Sequence, residues 1–444
     1  MPQIRLATSS PATAPTTPLT LALIDRLARR ASSHGADLLL LPEAFIGGYP
    51  RGADFGCKIG SRLPSGRDAF LDYFANAADL GDTVGDSGAG AGAAWINKTL
   101  PAQFPDPENR GYTRGDGTRE ELERIAAQTG VFLVVGLIEK AGGSLYCAVV
   151  YVCPRSGMLG KRRKVMPTAT ERLIWSQGSP ATLKAVSTVI KGVRLNLAAA
   201  ICWESYMPLL RQALYAQNVN LYLAPTADGR DTWLPLMRTV ACEGRCFVVS
   251  SNMAVRPPPP ASSTEAAVED AEVRDAEVYP ARARRNSCLT EDGNEIALPA
   301  DGTTAAKSTT STATSPSRRR RKSVIVEDGN EIVLSCDAED NNNANAINGA
   351  GMTTTNGTTA KKQQQQAALK SEDWISRGGS CIVGPFGDVL AGPQWEDDEG
   401  IIYSDVDFED CIRGRLDIDT AGSYSRNDSF KFSVEGLDLD PLPY

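Results

Sequence analysis

Histidine is nearly absent from this chain: His34 stands alone among 444 residues. That scarcity excludes a metal centre built from several imidazoles, and any Ser-His-Asp or Cys-His machinery would have to run through His34. His34 and Gly35 follow an apolar periodicity (Leu19, Leu23, Ile24, Leu27, Ala28), where an exposed helix cap belongs. No apolar run approaches the ~20 residues of a membrane span, and nothing after Met1 reads as a signal peptide. The ten cysteines form no CxxC pair and no secreted-module rhythm, so reduced thiols in the cytoplasm are expected. No nucleotide, flavin or metal signature occurs, and no cofactor is expected. The net charge of −8 argues against nucleic acid or an anionic membrane as a partner.

What is present is a series of short apolar runs. Ile4 to Ala7 reads as a strand that gives way to a Ser/Thr/Pro stretch. Ala36 to Leu41 reads as a strand covered on both faces, and Pro42-Glu43 follows directly, then Gly47-Gly48-Tyr49-Pro50. Val131 to Ile138 is a further buried strand, read as ending at Glu139. Tyr146–Val152 and Met158–Arg163 flank the turn sequence Pro154-Arg-Ser-Gly157 and predict a hairpin. Its second arm delivers Lys161-Arg-Arg-Lys164, of which three of the four side chains are expected to face solvent. Leu195 to Ile201 is a buried strand halted at Cys202, and Pro208 suits the first turn of a following helix. A thiol between a strand end and a helix start sits where the thiolate is favoured, although a free cysteine is most often buried and inert. Asn220–Ala224 and Cys246–Ser250 are strands, with a helix from Trp233 between them. The alternation predicts an α/β fold whose site lies beyond the carboxyl edges of the strands.

Composition changes at Arg256. The segment 256–373 is poor in apolar residues and rich in Ser, Thr, Asn and Gln, so a disordered insert is expected within a single domain of 1–255 and 374–444. The insert contains a duplication: Glu291-Asp-Gly-Asn-Glu-Ile296 recurs as Glu327-Asp-Gly-Asn-Glu-Ile332. After it, Gly379–Leu390 reads as a hairpin and Ile401–Asp407 as a half-buried strand. Ser429–Val434 could join a neighbour's sheet or pack back on its own.

Glu43, Glu139 and Cys202 each close a buried strand, and Lys164 follows a hairpin arm. Together they can add water to a carbon–nitrogen multiple bond, with Cys202 as nucleophile, Glu43 as its base and Lys164 holding the developing negative charge. Each has a plainer alternative, such as a loop glutamate in water or a cysteine in the core.

At these residues the chain resembles the nitrilase branch of the carbon–nitrogen hydrolase superfamily, of fungal type. Pro42-Glu43-Ala-Phe-Ile-Gly-Gly-Tyr-Pro50 resembles the motif of the catalytic glutamate. Arg163-Lys164-Val-Met-Pro-Thr168 with Glu171 to Trp175 resembles the lysine motif, and Ile201-Cys202-Trp-Glu-Ser-Tyr-Met-Pro208 the cysteine motif. The resemblance implies an α-β-β-α sandwich, and Glu139 as a second glutamate that orients Lys164. It implies an oxyanion role for the Trp203 amide, and Tyr49, Trp175, Trp203 and Glu204 as candidate pocket residues. It also implies a small-molecule nitrile substrate, aromatic or arylaliphatic, and a homo-oligomer of dimers stacking into spirals. A cyanide hydratase, an amide-forming relative and an inactive scaffold on the same fold are the alternatives.

Overall fold

The computed structural model describes residues 2–58, 61–84, 115–257 and 374–444, with the backbone of four short strands between 287 and 333. In chain order the first elements are β1 (Ile4–Ser9), α1 (Thr17–Ser33), β2 (Leu38–Leu40), β3 (Cys57–Lys58), β4 (Ser61–Arg62) and α2 (Pro64–Ala75). Next come α3 (Thr118–Thr129), β5 (Phe132–Ala141), β6 (Ser144–Cys153), β7 (Gly157–Arg163), β8 (Val186–Ile190) and β9 (Val193–Ala199). Then follow α4 (Pro208–Ala216), β10 (Leu221–Thr226), α5 (Trp233–Gly244), β11 (Phe247–Asn252) and β12 (Ala254–Val255). The short strands are β13 (Ser287–Leu289), β14 (Glu295–Ala297), β15 (Ser323–Ile325) and β16 (Glu331–Val333). The last elements are β17 (Ser376–Val383), β18 (Val389–Trp395), β19 (Ile401–Val406) and α6 (Glu409–Arg413).

Apart from the two-stranded pairs β3-β4, β13-β14 and β15-β16, the described strands make two large sheets. One runs β19-β1-β2-β5-β6-β7, the other β12-β17-β11-β10-β9-β8, with β18 on β17. Side-chain alternation builds three apolar layers from them. Leu38, Leu40, Phe132, Val134 and Val149 point between the sheets and meet Leu197, Leu221, Leu223, Phe247 and Val249. Their sequence neighbours Leu39, Leu41, Leu133, Val135 and Val150 point outward onto Ile24, Leu27 and Ala28 of α1 and Leu122 and Ile125 of α3. On the far side Ala198, Tyr222 and Val248 pack on Leu210 and Leu214 of α4 and Met237 and Val240 of α5. The result is the α-β-β-α sandwich, and strands buried on both faces explain why the apolar runs are continuous.

Three expectations need correction. β1 continues to Ser9 instead of stopping at Ala7, and the hydroxyls of Thr8 and of Ser10 just beyond it find partners inside. Thr8 Oγ1 donates to the Ser250 carbonyl at 3.1 Å, and Ser10 Oγ pairs with Ser380 Oγ at 2.7 Å. Glu139 lies within β5, not at its end, since the strand runs on to Ala141 against β6. The basic run is wholly buried: Lys161, Arg162, Arg163 and Lys164 are each 0% exposed. Alternation along β7 sends Lys161 and Arg163 to Glu139, and Arg162 and Lys164 to carboxylates at the opposite face.

Segment 429–434 packs back on its own chain: Phe432 and Val434 lie against the α4–α5 layer, and Asn218 Nδ2 holds the Leu442 carbonyl at 2.8 Å. By its contacts the chain divides into Met1–Pro259 with Thr358–Tyr444, and Pro260–Gly357. Most of the expected insert, 256–373, lies outside the described residues. Within it each copy of the duplication contributes a strand to a small antiparallel pair, β13 with β14 and β15 with β16. No helix among the described residues is long and apolar enough to cross a membrane.

Candidate active site

Glu43 leaves the end of β2 on a tight loop. Gly136 of β5 makes this loop possible, because a Cβ there would lie 2.1 Å from the Pro42 carbonyl oxygen and 2.8 Å from Glu43 Cα. Ala44 follows at φ +52°, and Cys202 stands at φ +55°. Both are left-handed conformations that cost a non-glycine residue of order 1 kcal/mol, and such strain gathers where side chains must be aimed. Between β9 and α4 the chain makes a 3-10 turn, Cys202–Tyr206, so the helix proper starts six residues beyond the thiol. The first amides of the turn, those of Cys202 and Trp203, have no acceptor within it.

The three expected groups meet. Lys164 Nζ donates to Glu43 Oε1 at 2.7 Å. Glu43 Oε2 is buried and takes no hydrogen bond of ordinary geometry, while the Cys202 thiol lies close enough to favour the ionised carboxylate. Cys202 Sγ accepts from Thr226 Oγ1 at 3.2 Å and from the Ala227 amide. Burial pushes the Cys202 thiol up, and the Glu43 charge adds to this, more than Lys164, Thr226 and Ala227 pull it down. The resting sulfur is therefore a thiol and needs a base; the position before a helix does not make it a thiolate. Burial also raises the Glu43 carboxyl, with Glu171 adding and Lys164 opposing. Burial alone would lower the Lys164 ammonium, but the surrounding anions, Glu43 first, hold it well above its ordinary value.

The partner of Lys164 differs from expectation. Glu139 does not reach it; Glu139 binds Lys161 and, through both oxygens at 2.8 Å, Arg163. Glu171 takes that place: its Oε2 accepts from Lys164 at 2.8 Å and from the Thr168 amide at 2.7 Å, and its Oε1 accepts from Tyr49 Oη at 2.8 Å. A capping box, Thr168-x-x-Glu171, fixes the carboxylate at the start of a short 3-10 turn, and that pattern was visible in the sequence. Cys147 is a second residue the sequence reading passed over. It faces inward from β6 and its thiol donates to Glu43 Oε1 at 3.5 Å.

Glu204 is not a pocket wall. It is 0% exposed, bound by both oxygens to Arg162 at 2.6 Å, and it accepts the amides of Val165 and Ile201. It thereby clamps the nucleophile turn to the lysine loop. Trp175 is also behind the wall: it lies under Lys164 with the ammonium 5.4 Å from its ring, meets Tyr49 edge-on, and donates to Tyr73 Oη. Tyr49 and Trp203 do line the cavity that opens at Cys202. That cavity measures about 320 Å³, and Thr168, Glu171, Arg51 and the 227–230 loop complete it.

Residues 3–276 match the carbon-nitrogen hydrolase family. A nitrilase of Bradyrhizobium diazoefficiens is 33% identical over 410 residues, covering 92% of this chain and 84% of that protein. An arylacetonitrilase of Trametes versicolor is 32% identical, covering 94% and 92%. A bifunctional nitrilase/nitrile hydratase of Lupinus angustifolius is 31% identical, covering 96% and 84%. With a buried Glu43–Lys164–Cys202 cluster between two sheets and relatives of this kind along nearly its whole length, the chain belongs to the carbon–nitrogen hydrolase family, in the nitrilase superfamily.

Proposed function

We propose that this chain is a nitrilase that converts an aromatic or arylaliphatic nitrile to the carboxylic acid and ammonia through a covalent adduct on Cys202. The observation that carries this reading is a thiol and an ammonium group on one buried carboxylate, at the floor of a cavity large enough for a small nitrile. Glu43 takes the thiol proton as sulfur bonds to the nitrile carbon. The π pair moves to nitrogen, where Lys164 and the amide of Trp203 hold it. Glu43 returns the proton to nitrogen, giving a thioimidate. Water adds to the carbon as Glu43 takes one of its protons and passes it to nitrogen; the proton of the new hydroxyl follows by the same route as the C–N bond breaks, so ammonia leaves a thioester. A second water breaks the C–S bond, releasing the acid and restoring the thiol. Glu171, beside Lys164, keeps that ammonium charged and aimed.

Breaking the C–S bond one step earlier would release the amide, and the relatives named bifunctional nitrilase/nitrile hydratase support testing for it. The eight described cysteines are free thiols, which supports the cytoplasm as location. Assembly into a homo-oligomer belongs to the same proposal and is read by sedimentation. The test is ammonia and amide release from phenylacetonitrile, and formamide from hydrogen cyanide, with Cys202→Ala as control. Ammonia and phenylacetate lost in the control support the reading. Formamide as the main product would make the enzyme a cyanide hydratase, and no turnover of any nitrile would make it an inactive scaffold.

A further inference from the structure

The cavity that opens at Cys202 carries two guanidinium groups on its lining, Arg51 and Arg230, and the reaction proposed above uses neither. Both are held by the loop that follows β10. Arg51 Nη2 donates to the Ala227 carbonyl at 3.0 Å, with its guanidinium 5.3 Å from the Tyr49 ring. Arg230 lies 4.2 Å over the Trp203 ring, its Nε 3.4 Å from Asp228 Oδ1. Asp228 is itself fixed, accepting from Trp203 Nε1 at 2.9 Å and from the Arg230 amide at 3.1 Å. Thr226 at the end of β10 and Ala227 at the start of the loop hold the nucleophile sulfur. One loop thus positions the reacting atom and both cations.

The charges in the cavity are unevenly distributed. Deep inside, Glu43 and Glu171 share the single ammonium of Lys164, an excess of one negative charge when both are ionised. At the outer end Arg51 pairs with no carboxylate among the described residues, and Arg230 shares Asp228, leaving an excess of positive charge. Arg230 keeps its side chain 61% exposed, and its planar fork matches a carboxylate in two-point contact. An anion on the substrate is repelled near the reacting carbon and attracted at the mouth.

We propose that the substrates are nitriles that also carry a carboxylate, separated from the nitrile carbon by a spacer, and that Arg51 and Arg230 bind that carboxylate. This inference rests on the nitrilase reading and adds the substrate class. Residues that merely braced the loop would not produce a charge preference, so charge preference is the readout.

The experiment measures ammonia release by the full-length enzyme from a series of cyano-acids of increasing spacer length, each beside its neutral methyl ester. The expected result is a higher kcat/KM for the acid than for its ester, with an optimum at intermediate length and a loss of the preference as salt rises. Arg230→Gln and Arg51→Gln should each lower the acid-to-ester ratio by about ten- to a hundredfold, the range for losing a hydrogen bond to a charged group. Arg230→Lys should restore part of it. Acids and esters turned over equally, or a ratio that both glutamine variants leave in place, would overturn the proposal while the nitrilase reading stands. Turnover of neither class would overturn both.

Discussion

Glu171 and Cys147 both bear on Glu43, Glu171 by its charge and Cys147 by a thiol contact to Oε1 at 3.5 Å, and sequence reading assigns neither a role. Glu171 raises the Glu43 carboxyl through its charge, in addition to burial. The base works only when ionised, so activity is lost as pH falls through a Glu43 pKa that lies above the ordinary carboxylate range. Removing the Glu171 charge lowers that pKa. Glu171→Gln is therefore expected to move the acid limb of the pH–kcat/KM profile to lower pH while reducing the plateau, because Lys164 loses one of its anchors; stopped assays across pH check both. The residues at strand ends, Glu43 and Cys202, were legible because an apolar run that stops on a polar side chain is a local signal. Glu171 stands in the lysine motif and in a legible Thr168-x-x-Glu171 pattern, but its ion pair with Lys164 is a contact that no strand end signals. Glu139 had the local signal without the contact: it sits in mid-strand, and its face of β5 meets Lys161 and Arg163.

At the scale of elements, the strand runs were readable and β7 was not. A run of four cations reads as a wet surface from composition alone. Five carboxylates, Asp82, Glu139, Glu204, Glu43 and Glu171, make it a buried strand end, and all but Glu171 are brought there from distant positions by the three-dimensional fold. Removing one partner leaves a buried charge unanswered, so Glu204→Ala should lower unfolding stability by about 3–5 kcal/mol, measured by denaturant titration. The approach of β5 to the Glu43 loop is equally specific. Gly136→Ala has no room at 2.1 Å and must push Pro42 and Glu43 away from β5, shifting the base from its present position. A displacement of this kind should cut kcat about a hundredfold while the far-ultraviolet circular dichroism stays that of the folded protein.

The whole molecule explains how so long an interruption is tolerated. β12 and β17 are antiparallel partners, Ala254 opposite Arg377 and Val255 opposite Ser376, so everything between them is formally one hairpin connection. The Arg256 guanidinium lies 4.3 Å over the Trp374 ring, closing the neck. Replacing 260–357 by a short Gly/Ser turn is expected to preserve nitrile turnover and the melting temperature; loss of both would show that the segment contributes to the hydrolase unit. Loop-closure cost grows only slowly with length, which is why a composition break of this size could be read as an insertion without harm to the flanking strands.

The C-terminal strands carry a further consequence. β19 lies along β1, Ile4 opposite Val406, and β17 lies along β11, so each sheet waits for a strand from beyond residue 374. During synthesis at about 5–20 residues per second, some 400 residues pass between the two members of the first pair, roughly 20–80 s in which β1 leaves the ribosome with a bare edge. Unpaired edges invite joining by other chains. Yield of this enzyme in a foreign host should therefore depend on chaperone supply and growth temperature, and a message cut short before Ile401 should give only aggregated product.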